Sequence, residues 1–175
     1  MLSTRREFLA AATATLAAGS LHAVEDVPNG PFKIGAQSYS FRDFKLEPAL
    51  KQYQTLGLKY AEFFRDHIPV NSTPEQIAAV LKLCKEYGVT PLAFGVESFG
   101  KDHDKNRQKF EFGKALGIKA LSADPEPDSF DSLDKLCEEY KIAIAIHPHG
   151  PSGKGRHQWW SAEIHLRKPA GTVST

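Results

Sequence analysis

At 175 residues, 41% of them hydrophobic, the chain is long enough for one domain with a sizeable core. A formal net charge of +1 gives no basis for a nucleic-acid or anionic-membrane partner. The two cysteines, in Lys82-Leu-Cys-Lys-Glu-Tyr87 and Lys135-Leu-Cys-Glu-Glu-Tyr140, read as buried small hydrophobes, and there is no CxxC or zinc-type Cys/His spacing.

Residues 1–23 predict an export signal: a basic start, an apolar stretch running to Ala18 and a small-residue exit. The pair Arg5-Arg6 before Phe8-Leu9 resembles a twin-arginine leader, a type that carries folded proteins. The expectation is an exported, periplasmic protein cleaved after Ala23, with residues 24–31 as a linker. The apolar run is shorter than the roughly 18–20 residues of a membrane anchor.

From residue 32 one unit recurs: an amphipathic helix, a glycine stop and a short apolar strand, with spacings of about 24–31 residues. Strand one is Phe32–Ser38, with Gln37 at its polar end. A helix starting near Pro48 stops at Gly57. Strand two then runs through Tyr60-Ala-Glu-Phe-Phe64 into Arg65-Asp66-His67. Thr73, Pro74 and Gln76 open the next helix with a capping box, and Ile77, Val80, Leu81 and Cys84 form its apolar stripe before Gly88. Strand three runs through Leu92–Val96 to Glu97. A charged segment then leads into a helix carrying Phe110, Phe112 and Leu116, with Gly117 as its stop. Strand four, Ala120–Ala123, ends at Asp124-Pro125, and Asp131 or Ser129 caps a last helix bearing Leu133 and Leu136. Strand five, Ile142–Ile146, ends at His147-Pro148-His149, and its unit lacks the glycine.

Alternating helix and apolar strand means parallel pairing with helices outside. Chemistry in such folds sits where strands end. A closed barrel of this kind needs eight strands and about 250 residues, so five strands predict a chain cut short. A complete open sheet is the alternative, and its unpaired apolar last edge counts against it while offering a route to homo-oligomers. Residues 152–175 read as an irregular tail with the start of one more helix at Ser161-Ala-Glu-Ile164.

The set Ile34-Gly-Ala-Gln-Ser-Tyr-Ser-Phe41, Tyr60-Ala-Glu-Phe-Phe64, Leu121-Ser-Ala-Asp-Pro125 and Ile144-Ala-Ile-His-Pro-His-Gly-Pro151, with the leader, resembles exported sugar phosphate isomerase/epimerases of the xylose isomerase-like TIM-barrel superfamily. The resemblance implies a partial (β/α)8 TIM barrel, about five parallel strands with outer helices, over residues 32–151. It implies a small-molecule sugar or related polyol as substrate, and proton transfer next to a carbonyl with a divalent metal stabilising the enediolate. In many relatives a Glu, an Asp, a His and a second Glu at the ends of strands five to eight hold that metal. The first position maps onto His147, a substitution that favours Mn, Zn or Fe over Mg; the other three would lie beyond residue 175.

Glu62 and Glu97, which close strands two and three, are the acid–base candidates. The alternative for Glu62 is a salt bridge with Arg65 or a lysine. Gln37, Asp124 and His149 are the substrate-binding candidates, with His149 on the same strand face as His147. Tyr39 and Phe41 read as packing. The second functional reading is a non-catalytic carbohydrate-binding or partner-dependent half-barrel.

Overall fold

The computed structural model describes residues 33–148 and the backbone of Val173–Ser174; the leader, the linker, His149 and the rest of the tail lie outside the described residues. Five strands occur in the expected places: β1 (Gly35–Gln37), β2 (Tyr60–Phe63), β3 (Thr90–Phe99), β4 (Ala120–Pro125) and β5 (Ala143–Ile146). A two-residue β6 (Val173–Ser174) lies in the tail read from sequence as irregular. All pair in parallel, in the order β1-β2-β3-β4-β5-β6. Each strand neighbours its successor, so the chain winds in one direction and never reverses as a doubly wound sheet does. The edge of β5, expected to be bare, carries β6 along Ile144 and Ala145.

Helices α1 (Leu46–Thr55), α2 (Pro74–Glu86), α3 (His103–Leu116) and α4 (Phe130–Tyr140) connect these strands. The α2 start follows its sequence: Thr73 Oγ1 accepts from the Gln76 amide at 3.3 Å, and Gln76 Oε1 accepts from the Thr73 amide at 2.8 Å. Thr73→Ala removes one half of that reciprocal pair and is expected to cost about 1 kcal/mol in urea unfolding. Other starts differ from expectation. Helix α1 begins two residues before Pro48, and α3 begins within the charged segment because Asp102 accepts from the Lys105 amide at 3.1 Å. Neither Ser129 nor Asp131 makes a side-chain cap for α4; Ser129 Oγ instead donates to the Glu126 carbonyl at 2.7 Å. Gly57, Gly88 and Gly117 take left-handed φ of 68°, 68° and 76°, as stops require. In the unit without glycine, Lys141 adopts φ 56° itself.

The core lies between the sheet and its helices. Register partners Phe63, Phe94, Leu121 and Ile144 form one row across β2 to β5, each fully buried. That row packs with Leu50 and Tyr53 of α1, Ile77 and Cys84 of α2, Phe110 and Leu116 of α3, and Leu133 and Leu136 of α4. Phe94 meets Phe112 edge-on, with ring centroids 4.8 Å apart. Burial accounts for both cysteines as read from sequence, and it pushes the Cys84 thiol up to about 12. Because side chains alternate along a strand, the opposite row belongs to the other face. It runs Gln37, Glu62, Ala93, Ala120, Ala143, and none of these is buried.

Candidate functional site

Four candidates share that second face. Gln37 and Glu62 are register partners on β1 and β2, and Gln37 Nε2 donates to Glu62 Oε1 at 2.9 Å. The hydrogen bond replaces the Arg65 or lysine salt bridge considered from sequence. On β4, Leu121, Ala123 and Pro125 are buried toward the helices, which turns half-buried Asp124 the other way. The β4–β5 register ends at Ala123↔Ile146, and continuing it puts His147 alongside Asp124. The His147 amide donates to the Ala123 carbonyl at 2.8 Å, holding this rim at the strand ends.

Glu97 does not join them. Between Phe94 and Glu97, β3 spends three residues where β4 spends two, Leu121 to Ala123. The extra residue is a bulge, and it reverses the alternation beyond it. Glu97 therefore pairs with Ala123 and is 5% exposed on the helix side. One carboxylate oxygen takes Arg65 Nη2 at 3.1 Å, and the other takes Lys109 Nζ from α3 at 3.2 Å. Glu97, which closes strand three in the sequence, is thus a doubly paired residue on the helix side of the sheet. A glycine inside a strand is the sequence signal for such a bulge, and Gly95 supplied it. An added Cβ there would sit 2.4 Å from the Ser122 carbonyl oxygen, a closeness only glycine permits.

A cavity of about 420 Å³ opens at the C-terminal ends of the strands, lined by Gln37, Tyr39, Phe64, Arg65, Asp66, Gly95, Val96 and His147. Tyr39 follows β1 in a 3-10 turn, Ser38–Phe41, and meets Phe64 edge-on at 5.4 Å. Phe64 is pinned in turn: its amide donates to Ser38 Oγ at 3.1 Å, and its ring meets His67 at 4.6 Å. His67 Nε2 donates to the Phe44 carbonyl at 3.0 Å, tying the loop after β2 to the segment before α1. Tyr39, read from sequence as packing, is 53% exposed on the cavity wall. Phe41 does pack, against Tyr53 at 5.0 Å. The Tyr53 hydroxyl donates to the Ala36 carbonyl at 2.7 Å, and burial first, then the Glu62 charge, hold that phenol above its usual value.

The wall thus has an aromatic side, Tyr39 and Phe64, and a polar side, Gln37, Arg65, Asp66 and His147. Arg65 and Asp66 are the polar residues the sequence reading left without a binding role. Their place just past the end of β2 was the available signal. Among the described residues, no three His, Cys, Asp or Glu side chains come together as a metal would require, so these residues alone do not fit a metal centre.

No family model matches the chain, and no curated protein matches it. Solved structures do. An uncharacterised protein from Parabacteroides distasonis ATCC 8503 superposes with a TM-score of 0.62 at 28% identity, over 67% of this chain and 53% of that one. A D-psicose 3-epimerase solved in the presence of D-fructose gives 0.56 at 13% identity, over 73% of this chain and 56% of that one. A sugar phosphate isomerase/epimerase from Parabacteroides distasonis ATCC 8503 gives 0.54 at 13% identity, over 81% and 66%. The fold is that of a partial TIM barrel. The chain spans between about half and two thirds of the length of these structures. A xylose isomerase domain protein from Alicyclobacillus acidocaldarius subsp. acidocaldarius shares the same fold at 13% identity, with a TM-score of 0.54 over 70% of this chain and 53% of that one.

Proposed function

We propose that this chain carries the first part of a sugar isomerase or epimerase site, in which Glu62 exchanges a proton with the carbon next to a substrate carbonyl. The observation that carries the proposal is the placement of Gln37, Glu62, Asp124 and His147 on one sheet face, with Gln37 and His147 in the wall of a single cavity at the strand ends. Such rims are where barrels of this architecture do their chemistry. The Gln37 amide occupies Glu62 Oε1 and leaves Oε2 without a hydrogen bond to the described residues. A carboxylate oriented through one oxygen and open at the other suits a base that must approach a C–H bond. Gln37, Asp66 and Arg65 supply hydroxyl-binding groups, and Tyr39 with Phe64 the apolar wall.

The test is hydrogen exchange by NMR, with a panel of ketoses and aldoses incubated with the full chain in D2O. Deuterium is expected at the carbon next to the carbonyl of at least one sugar, at a rate proportional to protein concentration. Binding of the sugars with no exchange in any of them would reject proton transfer.

A second reading, a carbohydrate-binding half-barrel without catalysis, draws on Glu97. One of the two acid–base candidates is committed to Arg65 and Lys109 on the far side of the sheet, which leaves one carboxylate for two proton transfers. The same experiment separates the readings, since this one predicts binding with no exchange.

A further inference from the structure

Two residues of opposite charge, Arg65 and Asp66, stand side by side in the cavity wall. Arg65 is held at one end only: Nη2 donates to the Val96 carbonyl and to Glu97 Oε1, both at 3.1 Å. Its Nη1 and Nε make no hydrogen bond to the described residues. The Arg65 side chain is 59% exposed while the Glu97 side chain that pairs with it is 6% exposed, so a buried carboxylate anchors one end of a largely exposed side chain. Lys109 balances the other oxygen of Glu97.

The charges in this cluster cancel. Arg65 and Lys109 carry two positive charges, Glu97 and Asp66 two negative, and within the lining itself Arg65 is offset by Asp66. A phosphate ester brings about 1.5 to 2 negative charges at neutral pH and is typically met by bidentate arginines, clustered cations or a helix N-terminus. Here it would meet one guanidinium already shared with a carboxylate, beside a second carboxylate that repels it. An uncharged hydroxy-carbonyl or vicinal diol uses both partners. The Arg65 N–H groups donate to an oxygen, and the Asp66 carboxylate accepts from a hydroxyl.

We infer that the cavity takes a neutral, unphosphorylated sugar or polyol and discriminates against its phosphate ester. This inference rests on the sugar-site reading above.

The test is titration calorimetry on the full chain with D-fructose, D-xylose and D-glucose, each against its own terminal phosphate ester. At least one neutral sugar is expected to bind ten times or more tighter than its ester. Asp66→Asn removes one negative charge from an exposed position and is expected to narrow that ratio at least threefold, by strengthening the ester. An ester that binds as tightly as its sugar, or a ratio unmoved by Asp66→Asn, overturns the neutral-substrate inference and leaves the sugar site standing. Failure of every sugar and ester to bind rejects the sugar site, and the inference falls with it.

Discussion

Gly95→Ala is expected to destabilise the chain by about 3 kcal/mol, the upper part of the range for forcing an atom into a packed interior. The new Cβ would stand 2.4 Å from the Ser122 carbonyl oxygen and 2.7 Å from Ser122 Cβ. Neither partner can retreat cheaply, because β4 is an interior strand held by β3 on one side and β5 on the other. Gly35 offers an instructive contrast. A Cβ there would come even closer, 2.2 Å from the Tyr60 carbonyl oxygen, yet among the described residues β1 has a strand on one side only and can shift outward. Thermal unfolding of the two variants should therefore rank Gly95→Ala as the more damaging, with a Tm lower by about 6–12 °C for a chain of this size. The bulge gives the substitution a second consequence. If β3 relieves the clash by re-registering against β4, Glu97 turns away from Lys109 and the anchor of Arg65 is lost. Weakened sugar binding should then accompany the lowered Tm. A Gly95→Ala protein with unchanged Tm would show that the strands do not approach this closely.

Much of this architecture is written locally. Thr73 and Gln76 announce the start of α2 through hydrogen bonds that close within four residues, and Gly57, Gly88 and Gly117 mark stops because left-handed backbone is cheap for glycine alone. Gln37 and Glu62 stand at the polar ends of the first two apolar strands in the sequence, and the register makes them neighbours. Strict alternation along β3 would put Glu97 on the face of Glu62, but one extra residue between Phe94 and Glu97 exchanges the faces. Gly95 marks that irregularity in the sequence, whereas the face Glu97 then takes is defined by pairing with β4, a long-range relation that a short-range pattern does not carry. The same limit hid Arg65, whose orientation is set by Glu97 and the Val96 carbonyl, 32 and 31 residues further along. Lys141 illustrates the reverse case: the stop before β5 forms without the glycine that marked the other three, because a lysine adopts the left-handed backbone there.

Glu62→Gln should separate chemistry from architecture more cleanly than any other single change. The Gln37 amide donates to Glu62 Oε1 at 2.9 Å, and a glutamine at position 62 keeps a carbonyl oxygen that can accept the same hydrogen bond. Neither the β1–β2 pairing nor the buried row on the opposite face depends on the charge, so stability should change by less than about 0.5 kcal/mol. The variant loses the capacity to take a proton. Positioned acid–base groups contribute factors of roughly 10²–10⁴, so deuterium exchange into a bound sugar should fall at least 10²-fold, about 2.7 kcal/mol of barrier, while the sugar's Kd moves less than about threefold. Glu97→Gln should give the opposite signature. It touches no lining group except through Arg65, and it leaves Lys109 facing a neutral amide. Its effects should therefore appear in sugar affinity and in stability, with exchange at saturation reduced less than about tenfold. If Glu97→Gln abolished exchange and Glu62→Gln spared it, proton transfer would belong to the helix side of the sheet. The strand face shared by Gln37, Glu62, Asp124 and His147 would then have no part in the reaction.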